Sequence, residues 1–193
     1  MTDVDFLLKA LELKDETRTG WAVRGVENPE SVAAHSWGAA FLTFLFAAEA
    51  GIDREDAVAM ALLHDVHESV SGDIMSGGLT EAEQAEKNEA EEAGFQELLA
   101  LRDRDAGDLE ELWQEYESRE TATARFVKDM DRVKTALQAY YYRVSERYSD
   151  EETFFKEWDG MDEFFSGTRD LLHTDTARQV FDAIHARYEE MDR

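Results

Sequence analysis

Apolar residues recur along most of this chain at steps of three and four, the spacing that lines side chains along one stripe of an α-helix. Val4, Leu7, Leu8 and Leu11 mark a first amphipathic helix over residues 3–13, and residues 14–28 read as a loop. Asn28-Pro29-Glu30 signals a helix start, with a capping amide, a proline in the first turn and an acid near the positive end. That helix is expected to reach residue 50, with Val32, His35, Ala39, Leu42 and Phe46 on its stripe. Asp53 caps the next, over 53–67, where Val58, Leu62 and Val66 mark the inner side and Asp65 shares their spacing. Past the Ser71-Gly72 break, 74–78 is a loop and 80–101 a strongly acidic helix whose glutamates read mostly as a solvated face. A shorter helix, 107–117, carries Leu109, Leu112, Trp113 and Tyr116, and a long one, 121–147, turns Phe126, Met130, Val133, Leu137 and Tyr140 inward. Residues 153–172, with Phe154, Phe155, Trp158, Phe164 and Phe165, and 174–191 supply C-terminal helices.

With one proline, 11 glycines and no alternating β-branched run, the pattern predicts an all-α fold. The 193 residues suffice for one sizeable core and nothing resembles a linker, so a single domain is expected over 1–193, its core at about 5–145 and the helices of 153–191 packed on it. The absence of cysteine excludes disulfides, thiolate zinc sites and cysteine nucleophiles. The longest apolar run, near 39–48, is too short to span a bilayer, and the acidic start MTDVDFLLKALELKDE is unlike a signal peptide; no membrane partner and a cytoplasmic location are expected.

Charge changes the picture further. Against 45 acids stand 20 Lys plus Arg, a net of −25, so nucleic acid is excluded as a partner because phosphate backbones are bound by basic surfaces. Lysine occurs only at 9, 14, 87, 128, 134 and 156. An acid-rich, lysine-poor surface fits a halophilic protein, since salt near 1 M shrinks the Debye length to about 3 Å and lowers the cost of repulsion.

The candidate chemistry centres on AMALLHDVHESVSGDI, residues 59–74. His64 and Asp65 are adjacent, Glu68 follows one turn later and Asp73 stands past the helix end, so imidazole and carboxylates address one volume. Such a mixed nitrogen and oxygen set suits a divalent first-row ion. Asp65 on a buried stripe needs a cation or a donor to meet it. His35 alone would read as a core histidine; beside this cluster it becomes a candidate ligand. The long helix offers Asp129 and Asp131, and the helical wheel leaves open which faces inward. The loop holding Arg18, Gly20, Trp21 and Arg24 concentrates scarce cations and an indole, either as a core plug with surface charges or as a substrate clamp. His173 and His185 lack acid partners at ligand spacing and are assigned to structure or surface. No phosphate-cradling glycine loop is present.

In order and spacing, a histidine 29 residues before the His-Asp pair, Glu68 and Gly72-Asp73 after it, and an aspartate 66 residues beyond Asp65 resemble the HD-domain metal-dependent phosphohydrolases. RTGWAVRGVENPESVAAHSWGAAF, MALLHDVHESVSGDI and TARFVKDMDRVKTALQAYYY look like the 5'-deoxynucleotidase branch, over about residues 5–145. The resemblance implies a homodimeric helical enzyme that removes phosphate from deoxyribonucleoside 5'-monophosphates. It implies one divalent ion, Mn, Co, Mg or another first-row metal, held by His35, His64, Asp65 and Asp131. It casts Glu68 and Asp73 as catalytic acids and Trp21 as a wall of the substrate pocket. Bacterial members carry an arginine directly before that tryptophan; here Gly20 stands there, with Arg18 two residues earlier, so Arg18 and Arg24 share the candidacy for phosphate or sugar contact. Two alternatives keep part of this reading: an HD phosphohydrolase of a triphosphate or cyclic nucleotide, and a non-catalytic nucleotide-sensing module.

Overall fold

The longest helix, α8 (Ala122–Val144), is the axis on which α3 (Val32–Phe46), α4 (Arg54–Leu63), α7 (Gly107–Ser118) and α9 (Asp175–Glu189) pack. Thr121 caps it by accepting from the Ala124 N–H, and at 1.5 Å per residue its 23 residues span about 34 Å. Phe126, Met130, Val133, Ala136, Ala139 and Tyr142 are fully buried along it, and truncating one of the large ones would cost about 3–5 kcal/mol. The protein is described here from a computed structural model that covers residues 3–75, 79–148 and 161–192. No strand occurs among the described residues, only an isolated antiparallel bridge between Thr17 and Ser31, and no helix among them is long and apolar enough to cross a membrane.

Ahead of α8 come α1 (Val4–Leu11), the one-turn α2 (Thr19–Ala22), α3 (Val32–Phe46), α4 (Arg54–Leu63), the one-turn α5 (Glu68–Ser71), α6 (Glu81–Leu99) and α7 (Gly107–Ser118); α9 (Asp175–Glu189) follows it. Helices α3 and α4 pack on each other and both on α8, while α9 closes its far side with Phe181, Ile184 and Tyr188. A second apolar cluster, with Val32, Phe95, Leu98 and Trp113, lies between α3, α6 and α7.

The helix entries follow the sequence chemistry closely. Asp53 accepts from Glu55 N–H and Asp56 N–H, and Thr80 and Glu83 form a reciprocal capping box. Departures have physical reasons. The helix expected from Asn28 begins at Val32 with Ser31 as cap, because Asn28 takes a left-handed φ of 48° and Ser31 is still extended. The loop of 14–28 contains α2. The helix expected over 53–67 stops at Leu63, and its buried side is Ala57, Met60 and Ala61, leaving Leu62 exposed. The stripe of α1 also faces outward: Val4, Leu7, Leu8 and Leu11 are all exposed, and Phe6 and Ala10 make the inward contacts. Leu137 is likewise exposed. Of the expected helix at 153–172, residues 153–160, with Phe154, Phe155 and Trp158, lie outside the described residues; the rest forms two short 3-10 turns, Asp162–Phe164 and Thr168–Leu171.

Candidate active site

Helix α4 ends where the site begins. His64 turns its Nδ1 back to the Ala61 carbonyl, 2.8 Å away, so Nδ1–H donates there and the lone pair of Nε2 faces the interior. His35, in the middle of α3, brings its ring to 5.5 Å from that of His64, and both are buried. From α8, Asp131 places Oδ1 2.9 Å from His35 Nε2, while Asp65 Oδ2 stands 3.1 Å from His64 Nε2 and 3.6 Å from His35 Nε2. Neither Nε2 makes a hydrogen bond among the described residues, which identifies them as buried nitrogens aimed at a shared point.

The donor set fits a divalent cation. Ligand atoms of His35, His64 and Asp131 lie within 4.8 Å of one another, close enough to address one ion. Asp65 stands beside both imidazoles, and its Oδ2 also lies 3.4 Å from Arg18 Nη1. Asp131 is oriented from behind: Lys128 Nζ donates to its Oδ2 at 2.7 Å and also reaches the Tyr116 hydroxyl at 3.2 Å. Asp129, two residues earlier, turns away and is fully buried, accepting from the His173 and Thr174 amides and from the Thr174 hydroxyl. The two aspartates are thus separated, one to the site and one to the α9 entry.

Charge is unevenly shared. Burial pushes the Glu68 carboxyl up, and the neighbouring Asp65 adds to this, to about 10. Its Oε2 has no hydrogen-bond partner among the described residues, and Oε1 lies 3.7 Å from Arg18 Nη1. Burial opposes ionisation of Asp65 and Asp131 as well, but His64 beside Asp65 and Lys128 beside Asp131 hold both below the usual carboxylate range. Burial would lower His64, yet Asp65 reverses the sign and raises it.

Arg18 and Asp73 close one wall. Asp73 Oδ1 accepts from Arg18 Nη1 at 2.8 Å, its Oδ2 from the Thr19 N–H at 2.6 Å, and Thr19 Oγ1 donates to the Asp73 carbonyl at 2.8 Å. The short α2 is thereby tied to the segment after α5. Trp21 is almost fully buried, with Phe164 at 4.5 Å and Tyr142 edge-on at 5.3 Å, and its Nε1–H donates to Glu30 Oε1 at 3.1 Å. Arg24 pairs with Glu163 and lies 4.7 Å over the Phe164 ring, further from the carboxylates than Arg18. The sequence-predicted residues Arg18, Trp21, Arg24, Asp65, Glu68, Asp73 and Asp131 all line one open cavity of about 770 Å³, in the range of small-molecule sites. His35 and His64 are buried outside its lining, behind Asp131 and Asp65, which do line it.

Sequence reasoning missed several groups at the same place. Six of the 20 basic residues line this cavity: Arg18, Arg24, Lys87, Arg119, Lys128 and Arg132. Lys87, on α6, is paired with Glu91 and has its own charge disfavoured by burial. His67, also lining the cavity, is pushed down to about 4 by burial and packs edge-on against Trp113 at 5.8 Å. Glu30 and Lys134, a buried ion pair under the ring of His35, were also missed. The available signal was scarcity: of six lysines, Lys87, Lys128 and Lys134 gather at or beside the site.

Known proteins agree with this arrangement. Residues 10–167 match the HD domain family model. The chain is 36% identical over 140 residues to the 5'-deoxynucleotidase HDDC2 of Bos taurus, covering 72% of this chain and 67% of that one. It is 36% identical over 142 residues to the 5'-deoxynucleotidase hdd1 of Schizosaccharomyces pombe, covering 72% of this chain and 71% of that one. The solved structure of a conserved hypothetical protein from Pyrococcus furiosus superposes with a TM-score of 0.73 at 30% identity, over 95% of this chain and 99% of that one. With its His-Asp pair, its histidine on α3 and its aspartate on α8 brought to one buried point, the chain belongs to the HD-domain family of metal-dependent phosphohydrolases, in the 5'-deoxynucleotidase branch.

Proposed function

We infer that this protein is a metal-dependent phosphohydrolase that removes phosphate from deoxyribonucleoside 5'-monophosphates. The observation that carries the reading is one cavity, in a chain of net charge −25, lined by six basic side chains and by Asp65 and Asp131, whose carboxylates adjoin the buried imidazoles of His64 and His35. Cations so placed answer an anionic ligand; the names of the relatives support a deoxynucleotide as that ligand. His35, His64, Asp65 and Asp131 would hold one divalent first-row ion, such as Mn, Co or Mg. Bound there, it would lower the pKa of a water and polarise the phosphoryl group.

The remaining steps fall to side chains. Hydrolysis forms a bond from water oxygen to phosphorus and breaks the bond to the 5'-oxygen; one proton leaves the water and one reaches the leaving oxygen. Glu68, with an open Oε2, is the group suited to exchange protons there. Asp73 has both oxygens engaged by donors, so it acts at the leaving side chiefly by aiming the Arg18 guanidinium at phosphate charge. Arg24, held against Phe164 and Glu163, supports the wall against which Trp21 and Phe164 offer apolar surface to sugar or base. Such contacts tolerate any base.

The enzyme acts as a homodimer in this reading. Helix α3 contains no charged residue, and Trp37, Phe41, Phe44 and Leu45 stand exposed along it. On its neighbour α8, residues 132–145 include no acid, and Leu137, Tyr141 and Val144 are exposed. In a chain with 45 acids, an acid-free apolar face is where a second copy of like charge can approach. The same acid excess argues against nucleic acid as a partner.

Phosphate release measured with deoxy and ribo 5'-monophosphates, a 3'-monophosphate, triphosphates and cyclic nucleotides, under several metals, tests the substrate. Fastest release from deoxyribonucleoside 5'-monophosphates is expected. Equal rates for deoxy and ribo forms would remove the sugar preference, and faster release from triphosphates or cyclic nucleotides would replace the reaction.

A further inference from the structure

We propose that Glu30 is a positioning residue: a single buried side chain that sets the ring of His35 and the place of the Arg18–Trp21 loop together, with Lys134 as its counter-charge. Every polar group of Glu30 is employed. Its carbonyl accepts from the Arg18 N–H at 3.1 Å, its N–H donates to the Tyr142 hydroxyl at 2.7 Å, and its Oε1 accepts from Trp21 Nε1 at 3.1 Å. Both carboxylate oxygens receive Lys134 Nζ. On the other side, His35 Nδ1, a buried nitrogen with no hydrogen-bond partner among the described residues, faces Glu30 Oε1 at 3.8 Å. A carboxylate on the far nitrogen of a ligating imidazole fixes its tautomer and turns the other nitrogen toward the ion.

The surroundings are built for this contact at some cost to the fold. Lys134 lies on α8 and must cross α3 to reach Glu30; it does so over Gly38, where a Cβ would stand 2.8 Å from Lys134 Cε and 3.1 Å from its Cγ. Glycine in a helix interior costs about 1 kcal/mol relative to alanine. An ion pair this buried is weakly justified as a stability device, since well-packed apolar residues often serve as well. Its position explains it better: Glu30 is where the metal ligand, the substrate loop and α8 meet.

This role presupposes that His35 is a metal ligand, so the experiment includes that residue. Titrate metal-free full-length protein with Mn²⁺ by calorimetry, for wild type, His35→Ala, Glu30→Gln, Gly38→Ala and the charge-neutral double variant Glu30→Leu/Lys134→Met, and record melting temperature, kcat and KM for each. The double variant removes both buried charges, so it folds where a lone Glu30→Ala would strand Lys134. The expected result is a wild-type melting temperature with Mn²⁺ affinity reduced about 10–100-fold and KM raised, the scale typical of groups behind a metal ligand. Glu30→Gln, which keeps an acceptor oxygen, should recover part of the loss, and Gly38→Ala, which displaces Lys134, should reproduce part of it. Metal affinity within twofold of wild type in the folded double variant would overturn the proposal while leaving the metal site intact. Failure of wild type to bind Mn²⁺, or unchanged binding by His35→Ala, would instead overturn the ligand assignment and this role with it.

Discussion

Asp129 and Asp131 lie two residues apart on α8 and face different tasks, so replacing each carboxylate by its amide separates folding from chemistry. Asp129 is fully buried, and its Oδ2 accepts from the Thr174 N–H at 2.8 Å and the Thr174 hydroxyl at 2.9 Å, while Oδ1 meets His173 Nδ1 at 3.0 Å. In Asp129→Asn one oxygen becomes a donor facing donors. Hydrogen bonds to a charged group contribute about 1.5–3 kcal/mol each, so losing the two from Thr174 costs roughly 3–6 kcal/mol. For a chain of this size 1 kcal/mol moves the melting temperature by about 2–4 °C, which predicts a fall of roughly 10 °C. Asp131→Asn gives up an ion pair with Lys128, whose side chain is about a fifth exposed; such pairs contribute about 1 kcal/mol or less, and the metal-free melting temperature should stay within about 3 °C. Its metal affinity, by contrast, should drop by more than about 100-fold, since losing a ligand exceeds the effect of losing a group behind one. Melting curves of the metal-free proteins and plasma-emission metal content after dialysis read both quantities. If Asp129→Asn melts like wild type and loses the metal, while Asp131→Asn melts low and keeps it, the division of labour argued here is wrong.

Glu68→Gln, at matched metal occupancy, should lower kcat by about 10²–10⁴-fold, the usual contribution of a proton-transfer group; near-full turnover would reject its role. The same substitution has a pH signature in the metal-free protein. With a folded value near 10 against about 4.5 unfolded, Glu68 keeps its proton in the native state while the unfolded state loses it, so stability falls as pH rises through that window; the Gln variant should show a shallower decline in melting temperature between pH 6 and 9, and an unchanged slope would contradict the assignment. If two copies meet through the α3 face as proposed, wild type should sediment as a dimer and Trp37→Glu as a monomer at low protein concentration; a monomeric wild type would refute the homodimer, and a Trp37→Glu variant that stays dimeric would move the interface elsewhere. Melting temperature should rise from about 0.1 to 2 M KCl as ions shield the acid excess, and a flat or falling curve would remove the halophilic reading.

Much of this was legible in the sequence because helix periodicity and capping are local. Asp53, Thr80 and Thr121 act within three residues of themselves, and the His64-Asp65-Glu68 spacing puts chemistry on adjoining turns. The choice between Asp129 and Asp131 was not legible, because both flank the apolar stripe and only the arrival of residues 173–174 from far along the chain decides which is consumed by the fold. The same holds for Glu30 and Lys134, 104 positions apart. Glu30 read as a helix-entry acid, and nothing local distinguishes that from a carboxylate under a metal ligand. The outward turn of the α1 stripe, and the second apolar face of α3 at Trp37, Phe41, Phe44 and Leu45, were hidden for the opposite reason: periodicity marks an apolar face without saying what covers it.

The acid excess and the basic cavity act over different distances, and that difference reconciles them. A nucleotide anion approaching a body of net charge −25 meets repulsion from its surface carboxylates, most of them exposed. At 0.1 M salt the Debye length is about 10 Å, so much of that field reaches the cavity mouth; at 1 M it is about 3 Å and the remote acids no longer contribute. Arg18, Lys87 and Lys128 line the cavity itself and act at contact distance, where mobile ions screen least. Concentrated salt therefore strips away the repulsion and leaves the attraction. This explains how a chain with so few cations to spare can still bind an anion: it needs them only where the phosphate lands.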